Sequence, residues 1–281
     1  PCMGADQLTP GAATVPLSVE LETDFTNVTV GFAASFRASV EGQTTGNTWD
    51  FADGTRLTNR LAAVHAWQAP GTYPVRLTAF NEAHPDGVTA TVAVQVVEVP
   101  VFHANPANPS PAFPYTNWAT AAKNIQEAIG AGSVTGRVVL VTNGVYDTCG
   151  VAVWGQMTNR IALTNGVVVR SLNGPDVTIL RGTPAPSGTN GDGAIRCAYV
   201  GVGSVLDGFT LTNGHTRTAG HSSREQGGGG AWCERTGVVT NCVFIGDEAF
   251  RDGGGANGGI FLACTFRNNR AWDDSGGADD A

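Results

Sequence analysis

Two stretches of this chain collect the side chains best able to do chemistry. His215, Arg217, His221 and Arg224 lie within ten residues, with Glu225 beside them. Imidazole and guanidinium groups on one polar loop can donate several charge-assisted hydrogen bonds to a single anionic group. These four are therefore candidates for contact with an acidic glycan, and a plain solvated loop is the competing reading. The second stretch holds Asp273-Asp274 and Asp279-Asp280, two carboxylate pairs set among glycines. Such turns can ligate a hard cation such as Ca²⁺, the one cofactor the sequence suggests, with solvated turns as the alternative. Asp247-Glu248 is an isolated third pair with a weaker claim. No residue is assigned a catalytic role.

Composition limits what can hold these groups in place. Of 281 residues, 38 are Gly and 14% are charged, without a collagen-like triplet. With abundant Thr, Val and Asn this reads as a turn-rich β protein. Hydrophobic residues at 42% are enough for a real core. The net charge is −8, Lys123 is the sole lysine, and no basic run occurs, so nucleic acid and anionic membranes are poor partners. No apolar run approaches the roughly 18 residues of a membrane span, so membrane insertion is not expected. The Pro-Cys start reads as a mature or trimmed terminus.

Residues 1–15 read as a flexible lead. From 16 to 99 short runs alternate apolar and polar, as in Val19-Glu20-Leu21-Glu22, Val28-Thr29-Val30 and Val88 to Val97. Turn signals at Ala52-Asp53-Gly54, Ala69-Pro70-Gly71 and Pro85-Asp86-Gly87 separate them, which predicts a small antiparallel sandwich. Two stretches inside it, Trp49-Asp50-Phe51-Ala52-Asp53-Gly54-Thr55 and His65-Ala66-Trp67-Gln68-Ala69-Pro70-Gly71-Thr72-Tyr73-Pro74-Val75, resemble the polycystic kidney disease (PKD) domain. That family carries a W-D-F-G-D-G turn followed by H-x-Y-x-x-P-G-x-Y-x-V. Ala52 stands for the usual Gly and Trp67 for the usual Tyr. The resemblance implies an immunoglobulin-like β-sandwich over 16–99, an extracellular spacer or adhesion module normally without catalysis. Trp49 is expected in its core and Asp53-Gly54 in a tight turn.

Residues 100–117 contain Pro100, Pro106, Pro109, Pro111 and Pro114 and read as a stiff linker or an ordered wrap. Trp118, Ala121, Ala122, Ile125, Ala128 and Ile129 then share one face at helical spacing. This predicts a helix over 118–129, capped by Thr116 or Asn117 and ended by Gly130. Beyond it, Val205 to Leu211 can be laid over Val238 to Phe244 and Ile260 to Phe266. The step is 33 residues and then 22, the longer one accounted for by a polar insertion near 214–227, and glycine tracts recur between the runs. A period near 22 predicts stacked coils, with Leu206, Val239 and Phe261 in one inward ladder and Leu211, Phe244 and Phe266 in another. The stretch Tyr115 to Ile129 with Val139-Leu140-Val141-Thr142-Asn143-Gly144-Val145-Tyr146 resembles the opening of bacterial secreted proteins of the pectin-lyase-like class. In that class an amphipathic helix covers the first coil. The expected fold is thus all-β: an immunoglobulin-like β-sandwich followed by a right-handed parallel β-helix over 118–281 with an N-terminal capping α-helix.

Cys197/Cys233 and Cys242/Cys264 fall at matching positions of the repeat. Adjacent parallel strands bring Cα atoms within about 4.8 Å, inside disulfide range, although Cβ directions there suit a reduced ladder equally well. No C-x-x-C or Cys/His cluster indicates zinc. Sugar-cleaving members of the pectin-lyase-like class carry carboxylate sets (N-T-D, paired D-D) with H-G and R-x-K. These are absent here as a set, and no lysine follows Lys123. The expected function is a secreted or cell-surface structural or adhesion protein that contacts glycans and assembles head to tail into a filament. Ile260, Phe261, Leu262 and Phe266 are its expected assembly surface. The alternative is a fragment of a polysaccharide lyase or glycoside hydrolase acting on acidic polysaccharide. Either is expected outside the cell or on a bacterial surface, after export.

Overall fold

The computed structural model describes residues 17–279, which divide into two compact units between Glu98 and Val99. In the first unit the alternating runs form two sheets. Ser18–Thr23, Ala34–Glu41 and Ala62–His65 make an antiparallel three-stranded sheet. Asn27–Thr29, His84–Val97, Gly71–Asn81, Gly46–Asp50 and Arg56–Thr58 make a five-stranded one in that order. Both contribute to one core, with Phe36 and Ala63 from the first and Trp49, Val75, Leu77 and Val94 from the second. The near-parallel rings of Trp49 and Phe51 lie 6.0 Å apart, and Trp67 meets Phe36 edge-on. A buried indole needs a partner for its N–H. Trp49 Nε1 donates to the Arg60 carbonyl at 2.9 Å, and Trp67 Nε1 to that of Phe51 at 3.0 Å.

The turn after Trp49 is held by its two aspartates. Asp50 accepts the Ala52 N–H at 2.9 Å, and Asp53 accepts that of Thr55 at 3.0 Å while pairing with His65 Nε2 at 2.7 Å. Ala52 sits at φ 61°, the left-handed region where only glycine escapes a steric penalty. One expected turn is misplaced. Pro85-Asp86-Gly87 lies inside the strand His84–Val97, and the chain reverses at Glu82-Ala83. There the Asn81 side chain accepts the His84 N–H at 2.9 Å and closes the hairpin early.

The stretch 100–117, expected as a stiff linker or an ordered wrap, belongs to the second unit. Val101–Ala104 is a strand parallel to Val138–Val141, with Phe102 and Ala104 buried, so the apolar alternation prevails and the later prolines occupy the loop that follows. A capping helix over 118–129 is not seen. Among the described residues the helical ones are confined to α1, Ile125–Gly130, whose N-cap Asn124 accepts the Glu127 N–H at 2.8 Å. Upstream, Asn117 caps a single turn at Thr120. Ala122 is then drawn into a bridge with Ala104, donating to the His103 carbonyl at 2.9 Å and accepting from Asn105 at 2.8 Å. Those backbone groups are spent on the sheet and cannot serve a longer helix.

From Val138 the chain visits three sheets in rotation, and in its last two circuits also a two-stranded parallel sheet of Glu248–Ala249 and Arg270–Ala271. Val138–Val141, Val168–Ser171, Val205–Asp207, Val238–Thr240 and Ile260–Leu262 follow Val101–Ala104 in the first. Gly144–Tyr146, Thr178–Arg181, Thr210–Thr212, Val243–Ile245 and Thr265–Arg267 form the second. Thr158–Leu163, Ile195–Val200, Ala231–Cys233, Ala256–Asn257 and Ala278–Asp279 run parallel in the third, with Val151–Ala152 antiparallel at its edge. Leu206, Val239 and Phe261 are register partners, as are Leu211, Phe244 and Phe266. Leu206, Leu211, Val239 and Phe244 are fully buried, and the Phe244 and Phe266 rings stack 4.6 Å apart. Alanines line the inner side of the third sheet at 198, 231 and 256. The glycine tracts fall where one circuit crosses close to the next. A Cβ on Gly254 would sit 2.3 Å from the Arg270 carbonyl oxygen.

Candidate functional site

The polar insertion between Thr210–Thr212 and Ala231–Cys233 is packed rather than free. Arg196, fully buried, reaches up from the third sheet and donates to the carbonyls of Gly228 at 2.7 Å, Gly227 at 2.6 Å and Arg224 at 2.8 Å, and to the Asn159 side chain at 3.1 Å. Desolvation lowers its pKa to about 9. Glu225 ties the outer part together. It accepts the N–H groups of Gln156 at 2.9 Å and His221 at 2.8 Å, and Arg217 Nη1 at 2.6 Å. Burial raises the Glu225 carboxyl, but these donors outweigh it and leave the pKa lowered.

This packing engages two of the four expected glycan-contacting residues within the fold. Arg217 is consumed between Glu225 and Asp192, the latter at 2.7 Å. His215 is buried with Nδ1 against the Asn213 carbonyl at 3.0 Å. His221 and Arg224 remain at the surface, beside an aromatic cluster that the sequence reading did not single out.

That cluster stands on the outward face of the third sheet. Ala162, Tyr199, Trp232, Asn257 and Asp279 occupy one register position in successive strands. Tyr199 and Trp232 stack with centroids 5.7 Å apart and planes 9° from parallel. The Arg224 guanidinium lies 3.9 Å from the Trp154 ring centre and 5.7 Å from that of Trp232, a cation–π arrangement. Arg224 makes no ion pair among the described residues. Hydrogen bonds lock the rings: Trp154 Nε1 donates to the Tyr199 hydroxyl at 3.4 Å, that hydroxyl to Glu234 at 3.0 Å, and Trp232 Nε1 to Ser223 at 3.1 Å. Burial pushes the Tyr199 phenol up to about 12. The result is an open cleft of about 810 Å³ lined by His221, Arg224, Trp232, Glu234, Arg235 and Asn257 among others. Glu234 is the only carboxylate among its described lining residues.

The other expected sites come out differently. Asp273 pairs with Arg251 at 3.1 Å, Asp274 accepts the Ser275 N–H at 2.8 Å, and Asp279 accepts from Asn257 at 3.4 Å. Asp280 lies outside the described residues, among which no group of three His, Cys, Asp or Glu is placed to hold a metal ion. Cys197, Cys233, Cys242 and Cys264 are free thiols. Cys197 is out of step with Cys233, whose register partner is Val200. Cys242 and Cys264 do sit at equivalent positions, but each sulfur turns to a backbone carbonyl, that of Thr240 at 3.2 Å and that of Val239 at 3.4 Å. Burial raises the Cys242 thiol to about 12. In the expected assembly surface, Ile260 and Leu262 are 44% and 54% exposed, while Phe261 and Phe266 pack against Phe244.

Laying Ala198-Tyr199-Val200 over Ala231-Trp232-Cys233 was the signal that could have found the aromatic pair. Pairing Cys197 with Cys233 instead puts the strands three residues out of register. Residues 9–96 match the PKD domain family. No curated protein matches the chain.

Proposed function

We propose that this chain is an extracellular, non-catalytic adhesion or display protein: an immunoglobulin-like PKD domain joined to a right-handed parallel β-helix opened by α1. The match of residues 9–96 to the PKD domain, typical of extracellular adhesion-type proteins, carries the reading. No helix among the described residues is long and apolar enough to cross a membrane. The three-sheet rotation, its inward ladders and the 22-residue circuit from Val238 to Ile260 support the β-helix. The placement of the carboxylates supports a binding rather than a cleaving role. Asp247 is sealed in the core, Glu225 is held by Arg217, and Asp273 by Arg251. Glycoside cleavage calls for two carboxyl groups flanking an open cleft. The intact chain incubated with polygalacturonate, alginate or heparin should release neither new reducing ends nor unsaturated product; product formation above a protein-free blank would overturn the non-catalytic reading.

Head-to-tail assembly is part of the same proposal. Among the described residues Ile260–Leu262 and Thr265–Arg267 pair on one side only, and the exposed Ile260 and Leu262 flank that edge. An unpaired parallel edge is a template for an added strand. Electron micrographs of the concentrated chain should show filaments that Leu262→Lys shortens, and monodisperse particles would remove the assembly from the account.

A further inference from the structure

We infer that the cleft on the outer face of the third sheet binds an acidic saccharide, a sugar carrying a carboxylate or sulfate, with Arg224 as the anion anchor. The inference rests on the display reading above and adds to it a location and a ligand class. Charge is the first argument. The chain carries −8 overall, yet the cleft gathers Arg224, Arg235 and His221 around a single carboxylate, Glu234, already engaged by the Tyr199 hydroxyl at 3.0 Å. A concentration of cations in an acidic chain focuses an anionic ligand there.

Preorganisation is the second argument. The Arg224 carbonyl is held by the buried Arg196 at 2.8 Å, its N–H faces His221 Nδ1 at 3.3 Å, and its guanidinium sits over Trp154. An arginine fixed in this way has little freedom left to lose and keeps N–H donors for a bidentate anion. The third argument selects a sugar over a bare anion. Trp154, 41% exposed beside the cleft under the Arg224 guanidinium, offers aromatic surface for the apolar C–H face of a ring, and the half-buried Ser223 of the lining offers its hydroxyl to those of a sugar. Peptide anions would ask for apolar side-chain pockets between the polar groups, and this cleft is lined mainly by polar residues.

The test is a titration of the intact chain with three probes: trigalacturonate, a heparin-derived hexasaccharide and neutral cellohexaose. Tryptophan emission and calorimetry are read at low and high salt. The expected result is that at least one acidic probe binds and shifts the emission, more weakly at high salt, while cellohexaose does not. Which acidic probe binds distinguishes a carboxylate from a sulfate ligand. Arg224→Gln should weaken binding roughly ten- to a hundredfold, Arg224→Lys less, and Arg56→Gln in the first unit not at all, with melting curves confirming that each variant folds. Equal binding of cellohexaose, no binding of any probe, or affinity unchanged in folded Arg224→Gln overturns the proposal. None of these outcomes touches the non-catalytic reading, which stands or falls on product release.

Discussion

The first unit and the second both bury aromatic rings, but they organise their cores in opposite ways. In the first, Trp49, Phe51, Phe36 and Trp67 meet from strands distant in sequence, and Asn27–Thr29 pairs with the far end of His84–Val97. In the second, Leu211, Phe244 and Phe266 lie one above another, Leu211 and Phe244 each supported by the circuit before and after. A core converging on one point fails as a whole, whereas a stacked core transmits damage mainly to its neighbours. The contrast also bears on function. The stacked unit repeats outward positions as regularly as inward ones, and that regularity aligns Tyr199, Trp232 and Asn257 in one row beneath the proposed cleft.

The sharpest way to break the comparison is to truncate one ring in each unit. Trp49→Ala should cost about 3–5 kcal/mol and shift the calorimetric transition of the first unit alone. Phe244→Ala should cost a similar amount but be felt only in adjacent circuits. An unchanged melt in either case would refute the corresponding core.

Asp247 gives a pH-dependent test confined to the second unit. Its Oδ1 accepts the Gly214 N–H at 2.7 Å, while its buried Oδ2 has no partner. Titratable Cys197, fully buried, lies beside it with Sγ 3.7 Å from Oδ1. One circuit on, Asn269 occupies the same place and uses both side-chain atoms, accepting the Asp247 N–H at 3.0 Å and donating to the Phe244 carbonyl at 3.1 Å. Burial raises the Asp247 carboxyl from 3.8 to about 8. The folded state therefore holds the proton more tightly than the unfolded state. Stability is fully present below pH 4 and is lost as pH rises toward 8, by about 1.4 kcal/mol per unit at most. Asp247→Asn should flatten that slope and raise stability at neutral pH by on the order of a few kcal/mol, read from urea midpoints at pH 5 and 8. A variant with the wild-type slope would show that another group titrates.

The smallest effect sharpens the first unit. Ala52→Gly should relieve the left-handed residue and raise the unit's stability by about 1 kcal/mol, a rise of a few degrees in its transition. No change would mean that the turn relaxes without penalty.

Much of this was legible because the residues involved have only one physical use. Trp49 beside the Asp50 and Asp53 turn, and the repeat linking Leu206, Val239 and Phe261, announce themselves by type and spacing. The helix was overdrawn because Ala121 and Ala122 suit a helical face, while the claim of Ala104 on Ala122 is a tertiary pairing that periodicity does not carry. The insertion was misjudged for the same reason. Polar residues near 214–227 look solvated until Arg196, upstream, is seen to bind carbonyls there. Trp154 meets the cleft residue Arg224 through a contact between side chains that no local spacing encodes.

Native-state hydrogen exchange on the intact chain, comparing Trp49→Ala with Phe244→Ala, tests the contrast between the two cores most directly. The account predicts that Trp49→Ala strips protection from the strands between Ser18 and Val97 together and leaves the second unit as it was. It predicts that Phe244→Ala loosens Thr210–Thr212, Val243–Ile245 and Thr265–Arg267 while Val138–Val141 and Thr158–Leu163 stay protected. Uniform loss across every strand from Val138 to Asp279 on Phe244→Ala would contradict it.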